Sequence, residues 1–275
     1  QLASDRPVLS NLGQANAGGY DFRWGDFSTV AVAGKRVYIT TNGSTLVGYD
    51  SIPTSATQIP DFVMGATDLY VDGNVENFVM SNPVPVSNGT SLFASSDFDG
   101  SMFVWKNLPD ESGAAPDVIY HFCRYQNEET ARRHQCEGRF SPWDNTLHGD
   151  TFALAGRDRL MIWTELPLEG NLPAYDFEGG IGTVRFDELT GVAMDDTYFY
   201  VADKRADVVH VWAGIPDGTH DPVATLSVSR PNRLSSDGTW LAVNSTADGG
   251  TQVFRVDQIV SSGSSSTLGG SSMFN

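Results

Sequence analysis

Histidines and carboxylates gather in one polar segment of the chain, residues 121–150. This segment holds three of the five histidines, His121, His134 and His148, together with three glutamates. Imidazole and carboxylate groups are ligands for transition metals such as zinc. The histidines stand 13 and 14 residues apart, which matches no metal-ligand spacing. We therefore expect a solvated loop here rather than a transition-metal site.

The same segment is expected to carry a binding surface. Cys123 and Cys136 are the two cysteines of the chain, and in an oxidising compartment they are expected to form a disulfide. Long insertions on a rigid scaffold often carry function. We predict an inserted, disulfide-stapled loop over residues 123–150 on one rim of the fold. The candidate residues for binding a protein or glycan partner are Arg132, Arg133 and Trp143.

Three asparagines form a second candidate site. Asn82, Asn145 and Asn232 stand near the predicted starts of inner strands. Ca²⁺ takes about six to eight oxygen ligands, and amide oxygens around an axis could supply several of them. The same side chains could instead cap turns or bind water in a channel. Calcium is therefore a possible cofactor, and no other cofactor is expected.

The sequence contains none of the short motifs that mark common catalytic sites, namely G-x-S-x-G, H-E-x-x-H, the P-loop and G-x-G-x-x-G. This leans against an enzyme. The polar and acidic residues at predicted inner-strand starts keep one catalytic alternative open, a lyase or hydrolase with a metal ion in a central channel.

Charge and composition limit the partners and the compartment. The chain has 34 acidic and 17 basic side chains, a formal net charge of −17, which repels nucleic-acid phosphates. No stretch approaches the roughly 20 apolar residues of a membrane span. Glycosylation sequons begin at Asn42, Asn88 and Asn244. Gln1 is an unusual first residue for a translated chain, which removal of a leader would explain. With the cysteine pair, these features predict a secreted or otherwise extracytoplasmic glycoprotein.

Short β-strands repeated along the chain must position all of these residues. Residues 188–216 predict three strands, Leu189–Met194, Tyr198–Ala202 and Val208–Trp212, followed by a turn that contains Pro216. Four other segments read in the same way, and each also predicts a fourth, outer strand. The aromatic residues that close the third strands are Tyr49, Trp105, Trp163, Trp212 and Phe254.

The closing aromatics are 56, 58, 49 and 42 residues apart, a period of about fifty that is typical of propeller blades. Four short antiparallel strands per repeat form a β-propeller when the repeats are arranged radially. We predict an all-β, single-domain β-propeller over residues 1–275, with about five full blades and part of a sixth. Residues 7–14 resemble an outer strand without its inner three, which favours a six-bladed over a five-bladed propeller.

The stretch Val201–Pro222, which reads VAD, then VWAGIP and a later Gly and Pro, resembles the NHL-repeat family. Asn11–Gln14 resembles the outer-strand element of the same family. The resemblance covers nearly the whole chain and implies a propeller. Many NHL-like propellers only bind partners.

These observations favour a secreted, non-catalytic binding or scaffold propeller that presents loops to a protein or glycan. The first alternative is the metal-dependent lyase or hydrolase. The second is a structural subunit of an extracellular assembly, in which another chain supplies the rest of the last blade.

Overall fold

The computed structural model describes residues 29–40, 45–55, 58–67, 69, 80, 82–97, 100–122, 140–247, 250–262 and 271–272. Within these ranges the protein consists of five four-stranded antiparallel sheets, one short hairpin and one helix. The sheets are the blades of a β-propeller, so the predicted all-β fold class is confirmed. No helix in the described part is long and apolar enough to cross a membrane.

The chain divides into two compact units. The first contains Gln1–Ser141 with Leu168–Gly170, and the second contains Pro142–Pro167 with Asn171–Asn275. The first unit holds two blades and the second holds three. The single domain over residues 1–275 stays a prediction.

The first unit contains blades 1 and 2. Blade 1 consists of β1 Val30–Ala33, β2 Arg36–Thr40, β3 Leu46–Tyr49 and β4 Phe62–Met64. Blade 2 consists of β5 Val84–Ser87, β6 Leu92–Ser96, β7 Ser101–Trp105 and β8 Val118–His121. In each blade the second and third strands are almost entirely buried, because β-branched, aromatic and small apolar residues fill both of their faces.

The second unit contains blades 3 to 5. Blade 3 consists of β9 Asp144–His148, β10 Thr151–Gly156, β11 Arg159–Trp163 and β12 Tyr175–Glu178. The hairpin of β13 Gly180–Ile181 and β14 Val184–Arg185 follows it. Blade 4 consists of β15 Leu189–Met194, β16 Tyr198–Asp203, β17 Val208–Ala213 and β18 Ala224–Ser227. Blade 5 consists of β19 Pro231–Ser236, β20 Trp240–Ser245, β21 Gly250–Arg255, helix α1 Val256–Ser262 and β22 Ser271–Ser272.

The closing aromatics occupy one equivalent position in all five blades. Each pairs across the ladder with an apolar residue near the start of its second strand. The five pairs are Val37–Tyr49, Leu92–Trp105, Phe152–Trp163, Phe199–Trp212 and Leu241–Phe254. All five aromatics are buried. The repeat predicted from their spacing is therefore confirmed within the ladders themselves.

In blades 2 and 3 the closing tryptophan also fixes the connection to the outer strand. In blade 2 the Nε1 of Trp105 donates to the carbonyl of Ala114 at 3.0 Å. In blade 3 the Nε1 of Trp163 donates to the carbonyl of Asn171 at 2.9 Å. In these two blades the tryptophan therefore fills the core and satisfies a loop carbonyl at the same time.

Three details correct the sequence predictions. Strand β9 lies inside the segment 123–150 that was predicted as an inserted loop. Its sequence, DNTLH, lacks the apolar alternation that marks a strand, and its pairing with β10 defines it instead. The helix α1 and the β13–β14 hairpin were not predicted. The outer strand of blade 5 is Ser271–Ser272, whereas residues 7–14, where an outer strand was predicted, lie outside the described residues.

Candidate functional site

A cavity of about 400 Å³ opens between blades 3 and 4 of the second unit. Its volume lies toward the lower end of the range for small-ligand pockets. The residues that line it are Trp143, Arg157, Asp158, Phe186, Asp187, Glu188 and Arg205. We refer to it as the Trp143 cavity.

One wall is the tip of the β10–β11 hairpin. Gly156 and Arg159 form the last ladder pair, so the connection is the two residues Arg157 and Asp158. Arg157 has a φ of 54°, in the left-handed region that glycine favours and other residues rarely adopt. The amide of Leu189 donates to the carbonyl of Arg157, which fixes the tip against blade 4. The hairpin therefore holds an exposed guanidinium on an anchored backbone.

The opposite wall is organised by Asp203, which is fully buried at the end of β16. Its carboxylate accepts hydrogen bonds from the amides of Asp187 at 2.8 Å and Glu188 at 3.0 Å. It also accepts from the amide of Ala206 at 3.3 Å, in the turn that carries Arg205. A carboxylate that accepts several backbone hydrogen bonds orders the chain segments that donate them. Asp203 therefore positions both the acidic and the basic residues of this wall.

Most charges on this wall are already paired. The Nε of Arg205 lies 2.8 Å from Oε2 of Glu188, and its Nη1 lies 3.8 Å from Oδ1 of Asp187. The Nζ of Lys204 lies 3.5 Å from Oε1 of Glu188 and 5.6 Å from the ring centroid of Trp143. The hairpin tip differs. Within the described residues, neither the guanidinium of Arg157 nor the carboxylate of Asp158 makes a salt bridge or a side-chain hydrogen bond.

Trp143 is held in place by an ion pair between the partly exposed Arg233 and the buried Asp144. Nη1 of Arg233 donates to the carbonyl of Trp143 and lies 2.6 Å from Oδ1 of Asp144. The other oxygen of Asp144 accepts from the amide of Val192 at 3.0 Å. Burial raises the pKa of Asp144, although Arg233 and the hydrogen bonds act in the opposite direction. The inner strands of blades 3, 4 and 5 therefore meet at Asp144, the first residue of β9.

Two β-bulges make this meeting possible. The register of β15 shifts between Leu189 and Gly191, and that of β19 shifts between Pro231 and Leu234. Arg233 lies inside the second bulge, and a bulge re-aims the side chains around it. A Cβ on Gly191 would overlap the carbonyl of Asn232, so the two bulges approach each other too closely for any larger residue.

Of the predicted binding residues, Trp143 is half buried and lines the cavity. Arg132 and Arg133 lie outside the described residues, as do both cysteines of the predicted disulfide, Cys123 and Cys136. The predicted binding surface of Arg132, Arg133 and Trp143 therefore stays a prediction, and of these residues the structure describes Trp143.

The predicted sequons have different surroundings. Asn88 is exposed in the β5–β6 turn, where its Oδ1 accepts hydrogen bonds from the amides of Thr90 and Ser91. Asn244 lies within β20 and is half buried, which is a less accessible position. Asn42 lies outside the described residues.

The three asparagines proposed as calcium ligands take three different positions in the repeat. Asn82 precedes β5 with a φ of 45°. Asn145 pairs with Leu154 inside β9, and Asn232 lies in the bulge of β19. The ladder register thus removes the equivalence on which this metal site was based, and the site stays a prediction. Among the described residues, no three His, Cys, Asp or Glu side chains gather as metal ligands.

Sequence reasoning did not select Arg157, Arg205 or the pair Asp144–Arg233. One signal was available for Arg157. The strands predicted on either side of it leave a very short turn, and that turn contains Arg-Asp where glycine or asparagine is preferred. The pairing of Asp144 with Arg233 spans 89 residues and depends on a bulge, so no local pattern announces it.

No family model matches the chain, and no curated protein matches it. The NHL-repeat resemblance is therefore not confirmed. The propeller fold rests instead on the strand topology and on likeness to solved structures.

Raptor from Chaetomium thermophilum is similar in fold, with a TM-score of 0.55 and 12% identity over 90% of this chain. The match covers 21% of that protein, so this chain spans about a fifth of its length. The computationally designed protein Ika8 has a TM-score of 0.50 and 14% identity, with 89% of this chain and 61% of that chain covered. BamB from Moraxella catarrhalis has a TM-score of 0.44 and 14% identity, with coverages of 82% and 71%, which is too distant to support an argument. Because 843 chains of solved structures match, the likeness reports a widely shared fold rather than a function.

Proposed function

We propose that this protein is a non-catalytic binding propeller and that its partner, a protein or a glycan, contacts it at the Trp143 cavity. The observation that carries the proposal is that an aromatic wall lies beside the exposed guanidinium of Arg157, which makes no salt bridge to any described residue. Tryptophan and arginine are the side chains most enriched where proteins make their strongest contacts with partners.

The rigidity of the walls supports binding. Arg157 projects from an anchored two-residue hairpin, and Asp203 ties three backbone amides of the opposite wall. A preformed site loses little conformational entropy when a ligand binds. Asp144, whose raised pKa would suit a general acid, is instead engaged by Arg233 and the Val192 amide. This engagement favours binding over acid–base catalysis.

Extracytoplasmic location is part of the proposal. Its support is the exposure of Asn88 at a turn and the cysteine pair of the sequence. Intact-mass measurement of the protein secreted by a eukaryotic host tests it. We expect added glycan mass that the variant Asn88→Gln reduces, and the loss of two hydrogen atoms that oxidation of the two thiols to a disulfide causes. Unmodified mass with two free thiols would contradict the location.

The binding proposal is tested with three proteins, the wild type, Arg157→Gly and Arg230→Gly. Arg230 is the matched control, because it is also an exposed arginine with a left-handed φ, of 46°, and it does not line the cavity. Each labelled protein is applied to a glycan microarray and to a peptide array. We expect Arg157→Gly to lose binding by about tenfold or more at spots that the other two proteins share. If the wild type binds no spot, or if Arg157→Gly binds the same spots equally, the proposal is wrong.

A further inference from the structure

The charges of the Trp143 cavity narrow the class of its ligand. We infer that the cavity takes a peptide segment that presents one carboxylate next to an apolar side chain. This inference rests on the proposed function and specifies its partner.

The carboxylate follows from the unequal use of the cations. Arg205 and Lys204 are held by Glu188 and Asp187, and Lys204 also lies over the Trp143 ring. Arg157 alone among these three cations has no carboxylate of the described chain within salt-bridge distance. The planar fork of a guanidinium matches a carboxylate with two parallel hydrogen bonds. A ligand carboxylate at Arg157 therefore supplies the counter-charge that this guanidinium lacks.

A single carboxylate fits better than an acidic polymer. The same cavity exposes Asp158 and Asp187, and the whole chain carries a net charge of −17. A polyanionic glycan would bring repeated negative charge against both, whereas a neutral glycan would leave Arg157 without a counter-charge. A peptide offers one carboxylate, and its backbone N–H groups can donate to the exposed aspartates.

The size and lining of the cavity indicate what accompanies the carboxylate. About 400 Å³ admits one or two side chains rather than a folded surface. Trp143 and Phe186 supply the apolar part of the wall, since Phe186 is buried against it and Trp143 is half buried. An aromatic or aliphatic side chain adjacent to the carboxylate would cover this part. The partner segment is therefore a loop or a chain terminus.

The test starts from a random library of short peptides displayed on phage. Peptides are selected on the immobilised wild type and then removed if they also bind Arg157→Gly. We expect the survivors to share an acidic residue, or a free C-terminal carboxylate, within about two positions of a large apolar residue. Synthetic peptides with an amidated C-terminus or with Glu→Gln identify which carboxylate is used.

Affinities measured by calorimetry then form a double-mutant cycle. Replacing the peptide carboxylate by an amide and replacing Arg157 by Gly are each expected to weaken binding by about tenfold or more. The two changes together should weaken binding little further, because both remove one interaction. Arg230→Gly should leave the affinity unchanged. Trp143→Leu should lower the affinity most for the peptides that carry the large apolar residue.

The outcomes separate this inference from the proposed function. If glycans bind the wild type through Arg157 and no peptide is enriched, the function stands and the peptide inference is wrong. If enriched peptides bind without dependence on a carboxylate, the inference is also wrong. If neither library yields a ligand that depends on Arg157, both are wrong.

Discussion

At the scale of single residues, the tip of the β10–β11 hairpin places a charged side chain where the backbone favours glycine. The positive φ of Arg157 costs about 1 kcal/mol for a residue with a Cβ. Such strain persists where the surrounding structure enforces it, and here the Leu189 amide anchors the tip. This is the local cost of presenting a guanidinium on an immobile backbone.

The first prediction concerns Arg157→Gly. Glycine relieves the strained φ but increases the entropy of the unfolded chain, and the two effects are of similar size. We expect the free energy of unfolding to change by less than about 1 kcal/mol, as it should for Arg230→Gly. Urea denaturation of both variants measures this. A loss above about 2 kcal/mol would show that the Arg157 side chain stabilises the hairpin, in which case its binding defects would not be direct.

The second prediction concerns Arg233→Met. The variant leaves the buried Asp144 carboxylate without its cation, which we expect to cost about 3 kcal/mol near pH 8. A carboxyl with a folded pKa above its unfolded value is favoured in its protonated form. Its stabilising contribution is present at low pH and is lost as pH rises through the folded pKa. The defect should therefore be smaller near pH 5.

The matched control for Arg233→Met is Arg255→Met. Arg255 pairs with Asp257, and both side chains are largely exposed, so the cost should be about 1 kcal/mol or less at both pH values. Equal defects in the two variants, or a pH-independent defect in Arg233→Met, would contradict the role given to Asp144.

The third prediction concerns His210, which is buried at 8% exposure beside Trp212, with ring centroids 5.7 Å apart. Within the described residues neither ring nitrogen has a hydrogen-bond partner. Burial lowers the pKa of His210, and the negative charge of Asp203 only partly opposes this effect. The pKa of His210 in the folded state lies below its unfolded value of about 6.5. The stabilising contribution of neutral His210 is therefore present above that pH and is lost as the pH falls.

The variant His210→Phe removes the titratable imidazole and its two buried nitrogens, which lack hydrogen-bond partners among the described residues. We expect the wild type to lose more stability than this variant between about pH 7.5 and about pH 5, as measured by urea midpoints. His148→Gln, at an exposed histidine that contacts Asp196, is the control for loss of one imidazole and should follow the wild type. Parallel pH curves for the wild type and His210→Phe would show that His210 does not carry this pH dependence.

At the scale of elements, close contact between strands depends on two glycines, Gly191 in the second unit and Gly48 in the first. Gly48 in β3 pairs with Phe62 in β4, and a Cβ on Gly48 would overlap the ring of Phe62. That ring is buried and packs edge-on against Tyr38, with centroids 6.0 Å apart. Since the ring has no free space to enter, the contact admits glycine only.

The fourth prediction follows from this contact. Gly48→Ala should lower the free energy of unfolding by about 2 kcal/mol, because the core must shift to admit the methyl group. Gly250→Ala in β21 is the control, since a Cβ there would meet nothing within 4 Å, and its stability should stay the same or rise slightly. Equal urea midpoints for the two variants would show that blade 1 repacks at no cost.

The element scale also shows what the sequence could predict. Strands such as β16 and β17, with runs of β-branched and aromatic residues, were found within one or two residues. The bounds of β9 were not predicted, although Asn145 was placed near the start of an inner strand, because the residues of β9 are mostly polar and its burial comes from its neighbours. Helix α1 was missed because its apolar spacing rests on Val256, Ile259 and Val260 within seven residues, which is too short a pattern to stand out from a serine-rich run.

The candidate site was predictable only in part, for a related reason. Trp143 drew attention as an aromatic residue outside the third strands. Arg157 gains its role from a backbone dihedral angle, and Arg233 gains its role from a bulge that brings it to Asp144. Both depend on long-range geometry, which residue types and spacing do not encode.

At the scale of the whole molecule, the dominant property is the net charge of −17. Self-repulsion of an acidic chain opposes the compact state, and salt screens it over a Debye length of about 8 to 10 Å at moderate ionic strength. Exposed ion pairs such as Arg36–Asp50 act in the other direction, since salt weakens them. The excess of carboxylates indicates that repulsion is the larger effect.

The fifth prediction is that raising NaCl from about 20 mM to about 500 mM raises the Tm by a few degrees. Differential scanning calorimetry measures the shift, and KCl at equal ionic strength should give the same result. A fall in Tm would show that the ion pairs outweigh the repulsion.

The shared ladder position of the five closing aromatics has a consequence for how such a chain can evolve. In every blade the second and third strands are joined in the same register, with the closing aromatic at the same ladder position. The hydrogen bonds within a blade therefore do not depend on which blade precedes it. Unequal recombination between two copies of the coding repeat would therefore add or delete one complete sheet while leaving every remaining register intact. Sequence change is constrained at the aromatic position that all copies have in common, because each of the five closing aromatics is buried.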